Sequence, residues 1–450
     1  MGKKVYILGA GTSKADGLPM QSELLRYIFE FKLAEKENIE QGNFVNLKIE
    51  QYSADVYAAH DQFIECRKEL AIFLLECFGT EQQARYAADM RMYLDNQEET
   101  LERHIEIGTM WERLLLEAQD MQVTLEDIFT ILDKTVIERR HFTSYSNENI
   151  KRIRWALQEC IIFILSCQTE KINNAVNYSE LCKMMLRERL NVDTKEDNLA
   201  VITLNWDSVF EKTLMEACQR WNDKHLDKKI FPDLCFYDYT FENDECRIPS
   251  TLVKAQGYYN LKLLKLHGSI NWLVCPKCGR VYTDYRKNIA LKELGTLQKN
   301  EQYCRVCKEQ NSYDGAAPCL EGLIITPTYL KEFNNLHLQN IWYNAYIDLT
   351  EADEIVFIGY SLPDADFEMK NLLKRAVGKH VVLTVVLRKE DNPQYYYEML
   401  QTGGLKSNCI KEIIQKMRFP CQSYNSLFSA NNITFYYGGL EKYLREVGND

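Results

Sequence analysis

His267 sits in the run Leu264-Lys265-Leu266-His267-Gly268-Ser269, and Cys275-Pro276-Lys277-Cys278 follows close behind, with Cys304-Arg305-Val306-Cys307 further on. An imidazole is the side chain whose ordinary pKa lets it take or give a proton near neutral pH. Two Cys-x2-Cys knuckles supply four thiolates, the soft tetrahedral set of a structural zinc, so Cys275, Cys278, Cys304 and Cys307 are the candidate metal ligands. A catalytic zinc would keep an open position and recruit His or carboxylate ligands. Nothing in the pattern suggests that arrangement, and a structural Zn2+ is expected. The gap between the knuckles is slightly longer than the usual ribbon spacing, which predicts an elaborated loop between them.

Further polar groups cluster where apolar runs end. Val5-Tyr6-Ile7-Leu8 runs into Gly9-Ala10-Gly11-Thr12-Ser13 and then Gly17-Leu18-Pro19. Glycines after a buried first strand let the backbone approach a pyrophosphate, although Gly-x-Gly alone serves an ordinary tight turn equally well. A second run, Leu199 to Leu204, ends at Asn205-Trp206-Asp207. The Asn205 carboxamide both donates and accepts, so it can place a water; it can equally cap a helix starting near Ser208. Asp207 can orient Asn205 or stabilise developing positive charge. A third run, Glu354 to Gly359, leads into Tyr360-Ser361-Leu362-Pro363-Asp364, where Asp364 and Asp366 are helix caps or ribose contacts.

These groups need a scaffold that delivers strand ends to one edge. Strands are expected at Val5–Leu8, Leu199–Leu204, Leu261–Leu266, Glu354–Gly359, His380–Leu387 and Ile433–Tyr437, the last as an edge element. Helices follow from about Ser22, from Val209 to about Trp221, and from about Asp366 to Val377. Alternating buried strands and helices imply a Rossmann-like α/β fold with an open parallel sheet, and ligands in such sheets sit beyond the carboxyl ends of the strands. Residues 22–192 read as a large helical insertion or cap, with amphipathic runs near 54–78, 82–118, 124–139 and 148–190. The expected organisation is therefore 1–21 as first strand and glycine loop, 22–192 as insertion, 193–272 as the Rossmann-like domain continued, 273–320 as zinc module, and 321–450 as the C-terminal part of the Rossmann-like domain.

Composition bounds the class. The chain has 450 residues, 46% of them hydrophobic, ample for a buried core. Its 54 basic and 65 acidic side chains leave a net charge of −11, which argues against direct nucleic-acid binding. The opening residues lack a signal-peptide pattern, and the longest apolar stretch, Trp155 to Cys167, is too short for a membrane span and contains Glu159. The fifteen cysteines sit mostly singly within helical or strand-like runs. A cytoplasmic, reducing setting without membrane attachment is expected.

The glycine segment, Thr203–Asp207, Lys265–Ser269, the four cysteines and Gly359–Leu362, in that order, resemble the sirtuin superfamily over about half the chain. The resemblance implies NAD+ as substrate, held by Gly9, Ala10, Gly11, Thr12, Ser13, Asp16, Leu18 and Pro19 on one side and by Gly359, Ser361 and Asp364 on the adenosine side. It implies Asn205 and Asp207 at the nicotinamide end and His267 as base near the ribose hydroxyls. Two departures point away from a peptide substrate. Met20-Gln21-Ser22-Glu23 replaces the Asp-Phe-Arg turn of sirtuins, and Leu323-Ile324-Ile325-Thr326-Pro327-Thr328 replaces the strand that pairs with an acyl-lysine peptide, with a proline where a donor is needed. What remains resembles sirtuin-like NAD+ hydrolases of bacterial anti-phage systems, which share a segment like Thr124–Phe129 and the form of Gly359–Asp366. That class implies NAD+ depletion and abortive infection, a homo-oligomer, and in some members a HerA-type ATPase or short Argonaute as partner. NAD-dependent deacylation and a non-catalytic NAD-sensing subunit are the competing expectations.

Overall fold

Val5, Tyr6, Ile7 and Leu8 are all closed off from solvent, so the first strand is covered on both faces, as the middle strand of a parallel sheet must be. The structure, a computed structural model, describes residues 2–33, 52–95, 101–119, 121, 123–193, 196–233, 239–240, 257–284, 290–291, 303–310, 319–325, 335–401 and 419–447. The chain divides into two units. One comprises Met1–Met20, Ile172–Ile289 and Tyr303–Asp450, the other Gln21–Lys171 and Ala290–Gln302.

The first unit is built on strands β1 (Lys3–Leu8), β2 (Leu199–Thr203), β3 (Ile230–Asp233), β5 (Tyr259–Lys265), β9 (Ala352–Ile358), β10 (Val382–Leu387) and β11 (Asn432–Tyr437). They form a seven-stranded sheet in the order β11-β10-β9-β1-β2-β5-β3, with every neighbouring pair parallel. The expected open parallel sheet is present, with β1 at its centre. Register decides what the sheet can present. Leu8 lies beside both Thr203 and Ile358, and Thr203 lies beside Lys265, so β9, β1, β2 and β5 end level with one another. β3 carries Pro232, which is tolerated because the strand lies at the sheet edge. Sequence periodicity gave no sign of this strand.

A second, four-stranded sheet holds the cysteines. It consists of β4 (Tyr239–Thr240), β6 (Gly268–Val274), β7 (Val281–Thr283) and β8 (Glu321–Ile324), in the order β4-β7-β6-β8. The elaborated loop expected between the knuckles lies mostly outside the described residues.

Helices of the sheet unit include α1 (Ala10–Lys14), α8 (Val176–Leu190), α9 (Val209–Lys224), α10 (Arg305–Gln310), α11 (Leu336–Thr350) and α12 (Phe367–Ala376). The glycine segment, expected as a turn, is therefore one turn of helix directly after β1. α8 falls within the range 22–192 but is part of the sheet unit, where Tyr178, Leu181, Cys182 and Met185 join the core. Apolar periodicity alone could not separate a helix covering a sheet from a helix packing on other helices.

The second unit is helical, with α2 (Leu24–Glu30), α3 (Ala54–Phe78), α4 (Glu81–Asp95), α5 (Leu101–Gln119), α6 (Leu125–Glu138) and α7 (Asn147–Glu170). Its boundaries are legible where caps are. Thr124 and Asp127 form a capping box on α6, and Ser146 and Asn149 form one on α7. None of the described helices is long and apolar enough to cross a membrane.

Candidate active site

The β1–α1 turn and the β9–α12 turn are locked together by two backbone hydrogen bonds and one from a side chain. Gly9 N–H donates to Ile358 O at 2.9 Å, Gly11 N–H to Gly359 O at 2.9 Å, and the Thr12 hydroxyl to Ile358 O at 2.6 Å. Gly359 has φ +63°, and a Cβ there would stand 2.2 Å from the Thr12 nitrogen. Glycine is required for both conformation and approach. Three residues on, Leu362 holds φ +55° while almost fully buried, a strained conformation of the kind found where a chain must be aimed. Gly9, Gly11 and Gly359 thus serve the close approach of two turns.

Asn205 follows β2 and lies 7% exposed. Its Nδ2 donates to Gly9 O at 3.0 Å and to the Ser13 hydroxyl at 2.9 Å, and lies 3.3 Å from the Tyr178 hydroxyl. The Ser13 hydroxyl in turn donates to Asp207 Oδ2 at 2.7 Å. Asp207 Oδ1 accepts from Val209 N–H at 3.0 Å, so Asp207, and not Asn205, meets the start of α9. Asn205 makes no cap to α9.

The Asp207 turn is held from beneath. Lys265 Nζ donates to Asp207 O and to Glu211 Oε1, each at 2.6 Å, and both ionic side chains are 1% exposed. Ser269 adds a hydrogen bond to Trp206 O at 3.1 Å. Burial holds the Glu211 carboxyl above its ordinary range even with Lys265 alongside. Lys265 closes β5 fully buried, and a buried ammonium needs the carboxylate partner that Glu211 supplies.

His267 follows β5 and is 5% exposed. Its carbonyl accepts from Ile325 N–H at 2.8 Å, and Gly268 pairs with Ile324, so β8 fixes the backbone there. The imidazole Nε2 lies 3.6 Å from Asp366 Oδ1, and Asp366 Oδ2 accepts from the Tyr360 hydroxyl at 2.9 Å. Asp366 is the first residue before α12 yet makes no side-chain cap. It faces the histidine instead, an orientation that spacing alone could not reveal.

The remaining nucleotide-binding candidates differ in burial and in partners. Ala10 is half-buried beside the locked turn, and Leu18 and Pro19 are buried. Asp16 directs both carboxylate oxygens to the start of α8, accepting from Asn177 N–H and Tyr178 N–H at 3.0 Å each. Ser361 and Asp364 are exposed, and Asp364 pairs with Lys370.

The four cysteine sulfurs lie within 4.8 Å of one another. Cys275 Sγ and Cys307 Sγ are 3.8 Å apart, and Cys278 Sγ and Cys304 Sγ 3.6 Å. A tetrahedron with Zn–S bonds of about 2.3 Å has edges of about 3.8 Å, so this donor set fits zinc. The first knuckle is the β6–β7 turn, where Gly279 takes φ +70°, and the second opens α10. β6 separates His267 from Cys275 by seven strand residues, about 23 Å of extended chain. A metal held by these four sulfurs would brace the turn after β6, a strand's length from His267.

No protein-family model and no curated protein sequence matches the chain. Solved structures similar to it include a Sir2–p53 peptide–NAD+ complex (TM-score 0.34, 12% identity, covering 99% of this chain and 92% of that one). A Sir2 homolog–NAD complex has a TM-score of 0.32 at 12% identity, covering 99% and 88%. Sir2Tm bound to a propionylated peptide has 0.30 at 12% identity, covering 85% and 80%.

Proposed function

We propose that this chain hydrolyses the N-glycosidic bond of NAD+, with water adding to the ribose carbon and nicotinamide and ADP-ribose as products. The observation that carries the reading is the convergence of the Gly9–Ser13 turn, Asn205 with Asp207, and His267 at the level carboxyl ends of three adjacent parallel strands, where ligands of such sheets sit. Nicotinamide leaves as a neutral ring from a cationic precursor, so the site must hold the ribose, limit water and place one nucleophile. Asn205 places that water or a ribose hydroxyl. Asp207 stabilises the developing positive charge, and His267, oriented by Asp366, takes the proton. Gly359, Ser361 and Asp364 take the adenosine half. Zinc, when bound by Cys275, Cys278, Cys304 and Cys307, supplies folding stability.

By the resemblance of its motifs, the reaction serves NAD+ depletion in anti-phage defence, carried out by a homo-oligomer with a partner such as a HerA-type ATPase. One feature favours the deacylase alternative: among the described residues β8 is an edge strand of its sheet, the position that strand addition uses. Incubation of the purified chain with NAD+, with and without an acetyl-lysine peptide, separates the two. Nicotinamide and ADP-ribose formed without peptide support hydrolysis, whereas NAD+ loss only with peptide, with an acetylated ADP-ribose product, overturns it.

A further inference from the structure

Tyr178 belongs to α8, in a region whose sequence pattern showed nothing catalytic, yet it ends inside the candidate site. Its ring is fully buried and packs edge-on against Phe210, with centroids 5.4 Å apart. Its hydroxyl lies 2.7 Å from the Ser13 hydroxyl and 3.3 Å from Asn205 Nδ2. The donor directions in this cluster are forced. Gly9 O can only accept, so the Asn205 atom facing it is Nδ2. Asp207 Oδ2 accepts from Ser13, which uses the one serine proton, so the Tyr178 hydroxyl must donate to the Ser13 oxygen. Burial keeps that phenol well above its ordinary pKa, so the proton stays on it across the working range.

The order is therefore Tyr178 to Ser13 to Asp207, and the Asn205 amide nitrogen is committed to acceptors on its inner side. Among the described residues, no donor reaches Asn205 Oδ1. We infer that Tyr178 is a positioning residue that fixes the Asn205 carboxamide with its oxygen toward the ligand, so that Asn205 meets the attacking water or ribose hydroxyl as an acceptor only. Asp16 seats the same device, since its carboxylate ties the Asn177 and Tyr178 amides to the end of the glycine segment. The inference rests on the NAD+-cleaving reading of the site.

The test is Tyr178→Phe, which removes one oxygen and keeps the ring. Expected is a fall in kcat of about tenfold or more with KM for NAD+ changed less than about threefold, and a second Asn205 rotamer in a crystal structure of the variant. Phe210→Leu disturbs the packing of the ring but keeps the hydroxyl, and should leave kcat near wild type at a lower melting temperature. Tyr178→Phe with wild-type kcat, or Phe210→Leu with the same kcat loss, overturns the assignment. If the wild-type chain releases no nicotinamide, the functional reading fails, and the crystal structure decides separately: an unmoved single Asn205 rotamer in Tyr178→Phe overturns the positioning role.

Discussion

The Asp366 carboxylate stands 3.6 Å from His267 Nε2, with its other oxygen held by the Tyr360 hydroxyl. A histidine so placed has one ring nitrogen steered by a fixed anion, which sets its orientation for proton transfer. Asp366→Asn should lower nicotinamide release by about 10- to 100-fold, His267→Ala by about 100-fold or more, and the double variant no further than His267→Ala. Additive losses in steady-state NAD+ cleavage would show that the two act separately.

Asn205→Ala should abolish turnover and also cost stability, because Ser13, Tyr178 and Gly9 lose a shared donor in a buried setting. The expected loss is about 1–3 kcal/mol in chemical denaturation. Unchanged nicotinamide release in this variant would falsify its catalytic assignment.

Gly359→Ala should destabilise the chain by more than an ordinary glycine substitution, about 2 kcal/mol or more. It adds a Cβ against the Thr12 nitrogen in a left-handed conformation. Gly17→Ala is the comparison, since its φ is also positive but its Cβ would meet nothing. Equal denaturation midpoints for the two variants would mean that the turn–turn approach is not what Gly359 serves.

One zinc per chain is expected by elemental analysis. Its removal by chelator, or Cys275→Ser, should lower the melting temperature, because the bound metal is coupled to folding of the module. Cobalt substitution should restore stability without altering kcat; a metal-dependent kcat would assign the site a chemical role.

At the opposite end of the sheet, Lys3 Nζ lies 2.5 Å from Asp348 and 2.8 Å from Glu351, and Lys262 bridges Asp348 and Asp197. Burial by itself would lower the Lys3 pKa, but Asp348 and Glu351 outweigh it and leave it above its ordinary value; Lys262 is raised by the same balance, with Asp348 and Asp197. A cation whose folded pKa exceeds its unfolded one contributes stability that is fully present below the unfolded value and lost as pH rises through the folded one. Denaturation midpoints should therefore show no loss from this cluster up to about pH 10 and fall above it. Asp348→Asn should lower stability at neutral pH and flatten the alkaline fall; the same fall in that variant would rule the cluster out as its source.

Much of this was written along the chain. Val5–Leu8, Leu199–Leu204 and Glu354–Gly359 read as buried parallel strands because each is apolar without alternation and ends in glycine or a polar turn. The cysteine knuckles read as a metal site because two-residue spacing is a local geometric demand. Asn205 and His267 stood out because each ends such a strand. Tyr178 and Glu211 were not legible as site residues, being an ordinary helix tyrosine and a helix glutamate in the sequence, and Asp366 read as a helix cap or a ribose contact, not as the partner of His267.

The sequence by itself determined six of the seven strands of the parallel sheet, the cysteine set and the polar groups at strand ends, since those depend on residue type and short spacing. Only the tertiary structure decided which groups meet. Parallel register brings Gly9, Asn205 and His267 level, backbone contact closes Gly359 on Thr12, and α8 delivers Tyr178 from far along the chain. The direction of the Asn205 amide was fixed last of all. It depends on a carbonyl and a serine of the glycine segment and a tyrosine of α8, far apart along the chain, and no local pattern carries a hydrogen-bond direction.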